Sequence, residues 1–367
     1  MSIRVGVVGA SAERGWASAT HLPALAAAPE YTVTAVAASS PEKAAAAAGL
    51  WGVERGFSDA RHLIESPDVD LVVLAVPLPR RDGLVEAAVA AGKHVYCEWP
   101  LALDAAGAAG MRDAADRAGV RHAIGLQSRH HPAVRQLRAR IRDGWIGEVL
   151  SATFTYSLST PDTWPARYRE LIKAEAISRL VIVGGHSLDL FRRAVGDFTS
   201  LSATIATRLP EAVLTETGER VPITSPDQIA VHGVLESGAV ASAHIITGGP
   251  FGTGYRIEAH GTKGRLELLS DTDELIGPRW RLSGALGRGE LRPLPESHAD
   301  DLLDAPAAVR NVHRVYTDLA AAIRDGGPVE PSFATATDVH LLLDTIASAS
   351  GAGERRDYRC GNRGTGS

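Results

Sequence analysis

A doubly wound parallel α/β domain followed by an α/β domain with a mostly antiparallel sheet is the architecture this sequence predicts. Three observations predict it. Residues 3 to about 125 alternate short apolar strands with alanine-rich helices, a βαβ rhythm. From residue 150 the chain becomes a series of alternating β-runs joined by turn signals such as Glu236-Ser237-Gly238. Helical periodicity then returns at Val309 to Asp325 and Thr335 to Ala349. The expected division is 1–125, 126–350, and a polar, glycine-rich tail at 351–367 that reads as disordered.

Within the first domain the strands are expected at Ile3 to Val8, Thr32 to Ala37, Leu71 to Val76, His94 to Cys97 and Arg121 to Ile124. Leu84 to Ala91 reads as a helix between two of them. A further helix is expected near Pro132 to Gly144. The second sheet takes Leu150 to Ser157, Ser200 to Arg208, Gln228 to Leu235, Val240 to Thr247, Tyr255 to His260 and Gly264 to Leu269. No internal repeat is present.

Composition narrows the function classes. A net charge of −5 and the lack of any Lys/Arg block argue against a nucleic-acid or membrane-surface partner. The two cysteines, Cys97 and Cys360, have no metal-ligand spacing, so neither a disulfide framework nor a metal site is indicated. With no basic leader and no apolar stretch of spanning length, a reducing cytoplasm is the expected location.

Four segments carry chemistry. The first strand runs into Gly9-Ala10-Ser11-Ala12-Glu13-Arg14-Gly15-Trp16. This is a loop before a helix, where backbone N–H groups and the helix dipole can hold a pyrophosphate. It departs from G-x-G-x-x-G, with Ser11 at the second glycine and one residue more, and it also reads as an ordinary strand-to-helix turn. After the second strand, Ala38-Ser39-Ser40 and Lys43 offer no carboxylate to a ribose 2′-hydroxyl, which favours NADP(H) while leaving NAD(H) possible. The same residues read as a helix start, with Ser40 as N-cap and Pro41 at the first helical position. Glu98-Trp99-Pro100 lies just beyond a strand's carboxyl end, the edge where open α/β sheets bind ligands. An aromatic residue before proline also favours a cis bond that would fix the Trp99 ring. Gly184-Gly185-His186-Ser187-Leu188-Asp189 opens a helix in which His186 and Asp189 share a face, and a histidine there can move the proton that accompanies hydride transfer.

These segments resemble a known family. Val5-Gly6-Val7-Val8-Gly9, Ala91 to Leu101, Gly125-Leu126-Gln127-Ser128-Arg129, and Gly185-His186 with Asp189 are similar to the glucose-fructose oxidoreductase, inositol dehydrogenase and rhizopine-catabolism (Gfo/Idh/MocA) family. The Gly15-Trp16-Ala17 loop, Glu-Trp-Pro in place of Glu-Lys-Pro, and the run Ser332-Phe333 to His340 resemble its Gal80-like branch, which includes oxidoreductases and a yeast regulator that binds dinucleotide without known catalysis.

The resemblance implies a Rossmann domain, an open second sheet, and a homodimer or homotetramer formed through that sheet. It implies a small-molecule substrate, a sugar derivative or natural-product intermediate, oxidised or reduced with NAD(P). A cofactor-binding regulator, or an isomerase or lyase with bound cofactor, is the alternative. Gly9, Ser11, Arg14, Gly15, Trp16, Ser39, Ser40, Lys43, Glu98, Trp99 and Gln127 fall to the cofactor, and Trp99, Arg129, His130 and Asp189 to the substrate. Family dehydrogenases use a lysine, an aspartate and a histidine; here Trp99 and Ile182 stand at the first two positions and His186 remains. Tyr168 and Lys173 are candidate replacements, as are His130 and His131. Each also reads blandly, as an interface ring, a solvated charge or a helix entry.

Overall fold

The computed structural model describes residues 2–13, 15–160, 163–174, 177–295, 302 and 304–360, without the side chains of residues 167, 168 and 170. The chain separates into two compact units, residues 1–127 with 302–337 and residues 128–301 with 338–367.

The first unit is built on six parallel strands: β1 (Ile3–Val8), β2 (Tyr31–Ala37), β3 (Arg55–Phe57), β4 (Leu71–Leu74), β5 (His94–Cys97) and β6 (His122–Ile124). Their order is β3-β2-β1-β4-β5-β6. The order reverses direction between β1 and β4, the switch point at which such sheets bind ligands. Between the strands run α1 (Leu22–Ala26), α2 (Pro41–Trp51), α3 (Ala60–Glu65), α4 (Leu84–Ala90) and α5 (Ala105–Arg117). Ser40, Asp59 and Asp104 start α2, α3 and α5 by accepting backbone N–H groups. Gly6 lets α3 lie close on β1, since a Cβ there would meet Leu63 at 2.5 Å.

The second unit begins with α6 (Pro132–Arg142), β7 (Val149–Ser159), α7 (Gly185–Val195) and β8 (Phe198–Ala206). A short hairpin follows, β9 (Glu211–Val213) with β10 (Arg220–Pro222). Then come β11 (Gln228–Leu235), β12 (Val240–Gly249), β13 (Gly254–Gly261), β14 (Gly264–Ser270), β15 (Trp280–Leu286) and β16 (Arg292–Pro293). The chain next supplies α8 (Ala307–Asp325) to the first unit, runs through α9 (Phe333–Ala352), and ends in β17 (Arg356–Asp357). The large sheet has nine strands in the order β16-β15-β14-β13-β7-β12-β11-β8-β17. It is antiparallel except at β7–β12. Phe191 of α7 packs between Phe154 and Phe198 on one face. Cross-strand register aligns Ser202, His232, Ser242, Thr153, Glu258 and Glu267 on the other face, where none of the six is buried.

α8 completes the first unit's core. Val309, Val312, Val315, Tyr316 and Leu319 are buried with Val5, Val7, Leu22, Leu25, Val36 and Leu71. Each such side chain contributes about 1.5–3 kcal/mol.

Several expectations need correction. Unit boundaries differ from 1–125 and 126–350, because α8 buries its apolar stripe on the first sheet's core rather than beside its sequence neighbours. The stretch after Gly351 is ordered as far as Cys360: β17 pairs with β8, and Tyr358 is 2% exposed. Residues 361–367 of that tail lie outside the described residues. β3, β9, β10, β15, β16 and β17 are strands beyond those expected. Trp99-Pro100 is cis, and so is Glu330-Pro331.

Candidate functional site

In the first unit, the glycine loop and the ends of β1, β2 and β4 enclose a groove of about 630 Å³. Gly9, Ser11, Gly15, Trp16, Ser39 and Lys43 line it, with Ser58, Val76, Pro77 and Arg80. Gly9 has φ 98°, and a Cβ there would stand 2.7 Å from the Ala75 carbonyl oxygen. Only glycine lets the loop leave β1 so close to β4. Gly15 has φ 145°, again a glycine conformation. The helical run starts at Trp16, with Thr20 Oγ1 donating to the Trp16 carbonyl at 2.6 Å.

Ser11 explains how the loop dispenses with its second glycine. Its backbone N–H donates to Ser18 Oγ at 3.1 Å, and Ser18 Oγ donates back to the Ser11 carbonyl at 2.5 Å. Ser18 thus clasps the loop from the first turn of the helix. Arg14, expected at the phosphates, lies outside the described residues.

At the end of β2, Ser40 caps α2 by accepting the Lys43 N–H at 3.3 Å, as its reading as a helix start had it. Ser39 and Lys43 do line it, and Lys43 Nζ lies 3.5 Å from Ser39 Oγ. Arg80 was missed by sequence reasoning. Its signal was its place in the loop after a parallel strand, at the sheet's ligand edge.

Glu98, just past β5, is tied to residues far away in sequence. Glu98 Oε1 lies 3.0 Å from His21 Nε2, and His21 Nδ1 lies 2.7 Å from the Tyr316 hydroxyl. The His21 side chain is wholly buried, while that of Glu98 is 12% exposed. Tyr31 donates to the Tyr316 carbonyl at 2.7 Å, and the Tyr96 ring stands edge-on to His21 at 4.8 Å. Burial raises both Tyr96 and Tyr316 well above an ordinary phenol. Gly125 makes room for the carboxylate, because a Cβ there would meet it at 2.5 Å. Arg81 donates to Cys97 Sγ at 2.7 Å and to the Glu98 carbonyl, fixing the backbone. Trp99 is 5% exposed, so its ring is packed into protein. Gln127 is fully buried, and neither its amide oxygen nor its nitrogen has a hydrogen-bond partner among the described residues. Buried amides are normally paired, so Gln127 offers a donor and an acceptor to a bound group.

The second unit holds the remaining candidates. His186 lies buried in the first turn of α7, and Ile182 sits in the preceding wide turn at 180–184. Arg129 and Asp189 form a buried pair, Nε to Oδ2 at 3.1 Å and Nη2 to Oδ1. The two charges thus balance each other inside the unit. His131 accepts the Ala133 N–H at 3.2 Å and caps α6, as its bland reading had it. His130 is buried beside it. Lys173 is exposed next to Ile172, which packs in the small core under the β9–β10 hairpin. The Tyr168 side chain lies outside the described residues.

A reversed parallel strand order with a glycine loop over the reversal defines a dinucleotide-binding α/β domain. Residues 3–126 match the oxidoreductase family with NAD-binding Rossmann fold, and residues 132–270 match the Gal80p C-terminal domain. The chain belongs to the Gfo/Idh/MocA oxidoreductase family, with the C-terminal domain of its Gal80-like branch. It is 36% identical to dehydrogenase aclE of Aspergillus oryzae over 247 residues, 64% of this chain and 67% of that protein. It is 28% identical to levoglucosan dehydrogenase of Pseudarthrobacter phenanthrenivorans over 387 residues, 95% and 96% of the two chains. A solved levoglucosan dehydrogenase in complex with NADH and L-sorbose superimposes with a TM-score of 0.83 at 26% identity, covering 98% of this chain and all of that one. No helix among the described residues is long and apolar enough to cross a membrane.

Proposed function

We propose that the protein is a dehydrogenase or reductase that uses NADP(H) in preference to NAD(H) and acts on a small carbonyl or hydroxyl compound, a sugar derivative or natural-product intermediate. The groove over the β1/β4 reversal carries this reading, and the named dehydrogenases support it. When bound, the nicotinamide supplies or accepts the hydride. The chain's own contribution is to hold and orient. The Gly9 to Trp16 loop and the helix start behind it take the pyrophosphate. Ser39, Lys43 and Arg80 supply hydroxyl and cationic groups to a 2′-phosphate, in a groove whose one lining carboxylate among the described residues is Glu13. Gln127 and Glu98 offer hydrogen bonds to the nicotinamide end.

His186 is the proposed proton-transfer group: it takes the hydroxyl proton when the carbinol is oxidised and returns it when the carbonyl is reduced. Trp99 and Ile182 replace the family's lysine and aspartate, so the polyol mechanism does not transfer unchanged. Tyr168 and Lys173 are the second candidates for the proton. Two copies pair through the open face of the nine-stranded sheet, where Ser202, Ser242 and Thr153 stand in register with His232, Glu258 and Glu267.

Titration with NAD, NADH, NADP and NADPH tests the reading. Binding of NADPH ahead of NADH is expected, with Ala38→Asp reversing the order. A protein that binds none of the four refutes it. The Gal80p domain match favours one alternative, a cofactor-binding regulator. That reading predicts dinucleotide binding without turnover of any carbonyl or hydroxyl compound.

A further inference from the structure

Buried polar groups that no catalytic scheme above uses are concentrated around His21. The imidazole has no exposed surface, yet both its nitrogens are engaged, one by a phenol from α8 and one by a carboxylate at the end of β5. These residues lie 295 and 77 positions away in sequence. The His21 bond to Oε1 is the only hydrogen bond of the Glu98 carboxylate among the described residues, and the carboxylate retains exposed surface.

We propose that His21 and Tyr316 are positioning residues of the nucleotide site: Tyr316 donates to His21 Nδ1, this fixes the Nε2–H form, and His21 then donates to Glu98 Oε1, leaving Oε2 to accept from a hydroxyl or amide donor of the dinucleotide. The inference rests on the dinucleotide reading above. The direction of the chain follows from chemistry. Burial keeps the Tyr316 phenol protonated, and His21 Nδ1 is the only hydrogen-bond partner of its hydroxyl among the described residues, so the hydroxyl proton goes to Nδ1 and that nitrogen accepts. In that arrangement the O–H of Tyr316 and the N–H of His21 each have an acceptor, as buried donors require. The absent Gly125 side chain leaves the space in which the held carboxylate stands. In a chain that carries Trp99 where relatives carry lysine, such a relay assigns the fixed polar anchor at this sheet edge to Glu98.

Dissociation constants for NADPH and NADH, measured calorimetrically, test the relay. His21→Phe, which keeps a ring and removes the donor, is expected to weaken binding about tenfold, and Tyr316→Phe about threefold, the scale of charged and neutral hydrogen bonds. In a Glu98→Gln background the His21→Phe effect should vanish, because His21 acts only through that carboxylate. Nitrogen-15 spectra of the ligand-free protein, with the His21 signal identified by its loss in His21→Phe, should show an Nε2–H imidazole that loses its single tautomer in Tyr316→Phe. An Nδ1–H ring or an imidazolium overturns the proposal, as do unchanged affinities or additive effects in the double variant. If His21→Phe does not fold, Tyr316→Phe and the wild-type spectrum decide. Wild-type protein that binds no dinucleotide removes the nucleotide reading and the relay's role together, whereas binding that Tyr316→Phe leaves intact removes the relay alone.

Discussion

Ile182, in the wide turn at 180–184 that leads into α7, stands four positions before His186 in the first turn of that helix. In the proposed reaction His186 moves the proton with no carboxylate at position 182. His186→Ala is expected to lower turnover about 100-fold, typical of a general acid–base group, with dinucleotide affinity unchanged. Steady-state rates beside calorimetric binding check this, and full activity in the variant shifts the role to Tyr168 or Lys173. At this scale the sequence was only partly legible. Residue type and local spacing pointed to Gly9, Gly15 and His186. Spacing was silent on the Arg129–Asp189 pair, because its members are 60 positions apart. A lone His21 in an alanine-rich helix gave no signal, since its meaning depends on a phenol and a carboxylate from distant elements.

Among the elements, the glycine loop depends on Ser18. Ser18→Ala removes two hydrogen bonds to Ser11 and should lower stability by about 1–2 kcal/mol while weakening dinucleotide binding several-fold. Denaturant midpoints and calorimetry measure the two effects separately. Two strand histidines make the first sheet sensitive to acid. His94 Nδ1 accepts the Arg121 N–H at 2.9 Å, and His122 Nδ1 accepts the Phe333 N–H at 3.1 Å. Burial lowers both below the usual imidazole value, although Asp116 partly opposes this at His122. The unfolded chain therefore takes up protons that the fold refuses. Stability is full above the unfolded value near pH 6.5 and falls as the pH drops below it, by up to about 1.4 kcal/mol per pH unit for each histidine. Urea midpoints from pH 7.5 to 5 should show this, and His122→Asn, whose Oδ1 keeps an acceptor, should flatten the slope. Legibility at this scale followed the strength of the pattern. β5 and β11 match their expected bounds because apolar runs end at turn residues. β15 was missed because Ser283 and Gly284 interrupt its apolar pattern, and β3 because three residues with an exposed Arg55 show no period.

For the whole molecule, amphipathic periodicity announced α8 without saying which core would receive it, since a stripe of valines fits any apolar surface. That placement has a consequence for biosynthesis. As the chain leaves the ribosome, its first 127 residues carry all six strands of the nucleotide-binding sheet, yet Val309, Val312, Val315, Tyr316 and Leu319 are still unmade. The nascent sheet must wait for nearly two hundred further residues before its core is closed, leaving apolar surface open to chaperones or to neighbouring chains. A fragment ending at Gln127 should therefore be aggregation-prone and unable to bind dinucleotide. The same segment joined by a short linker to residues 302–337 should fold as a soluble nucleotide-binding protein, which circular dichroism and NADPH titration of the two fragments would decide.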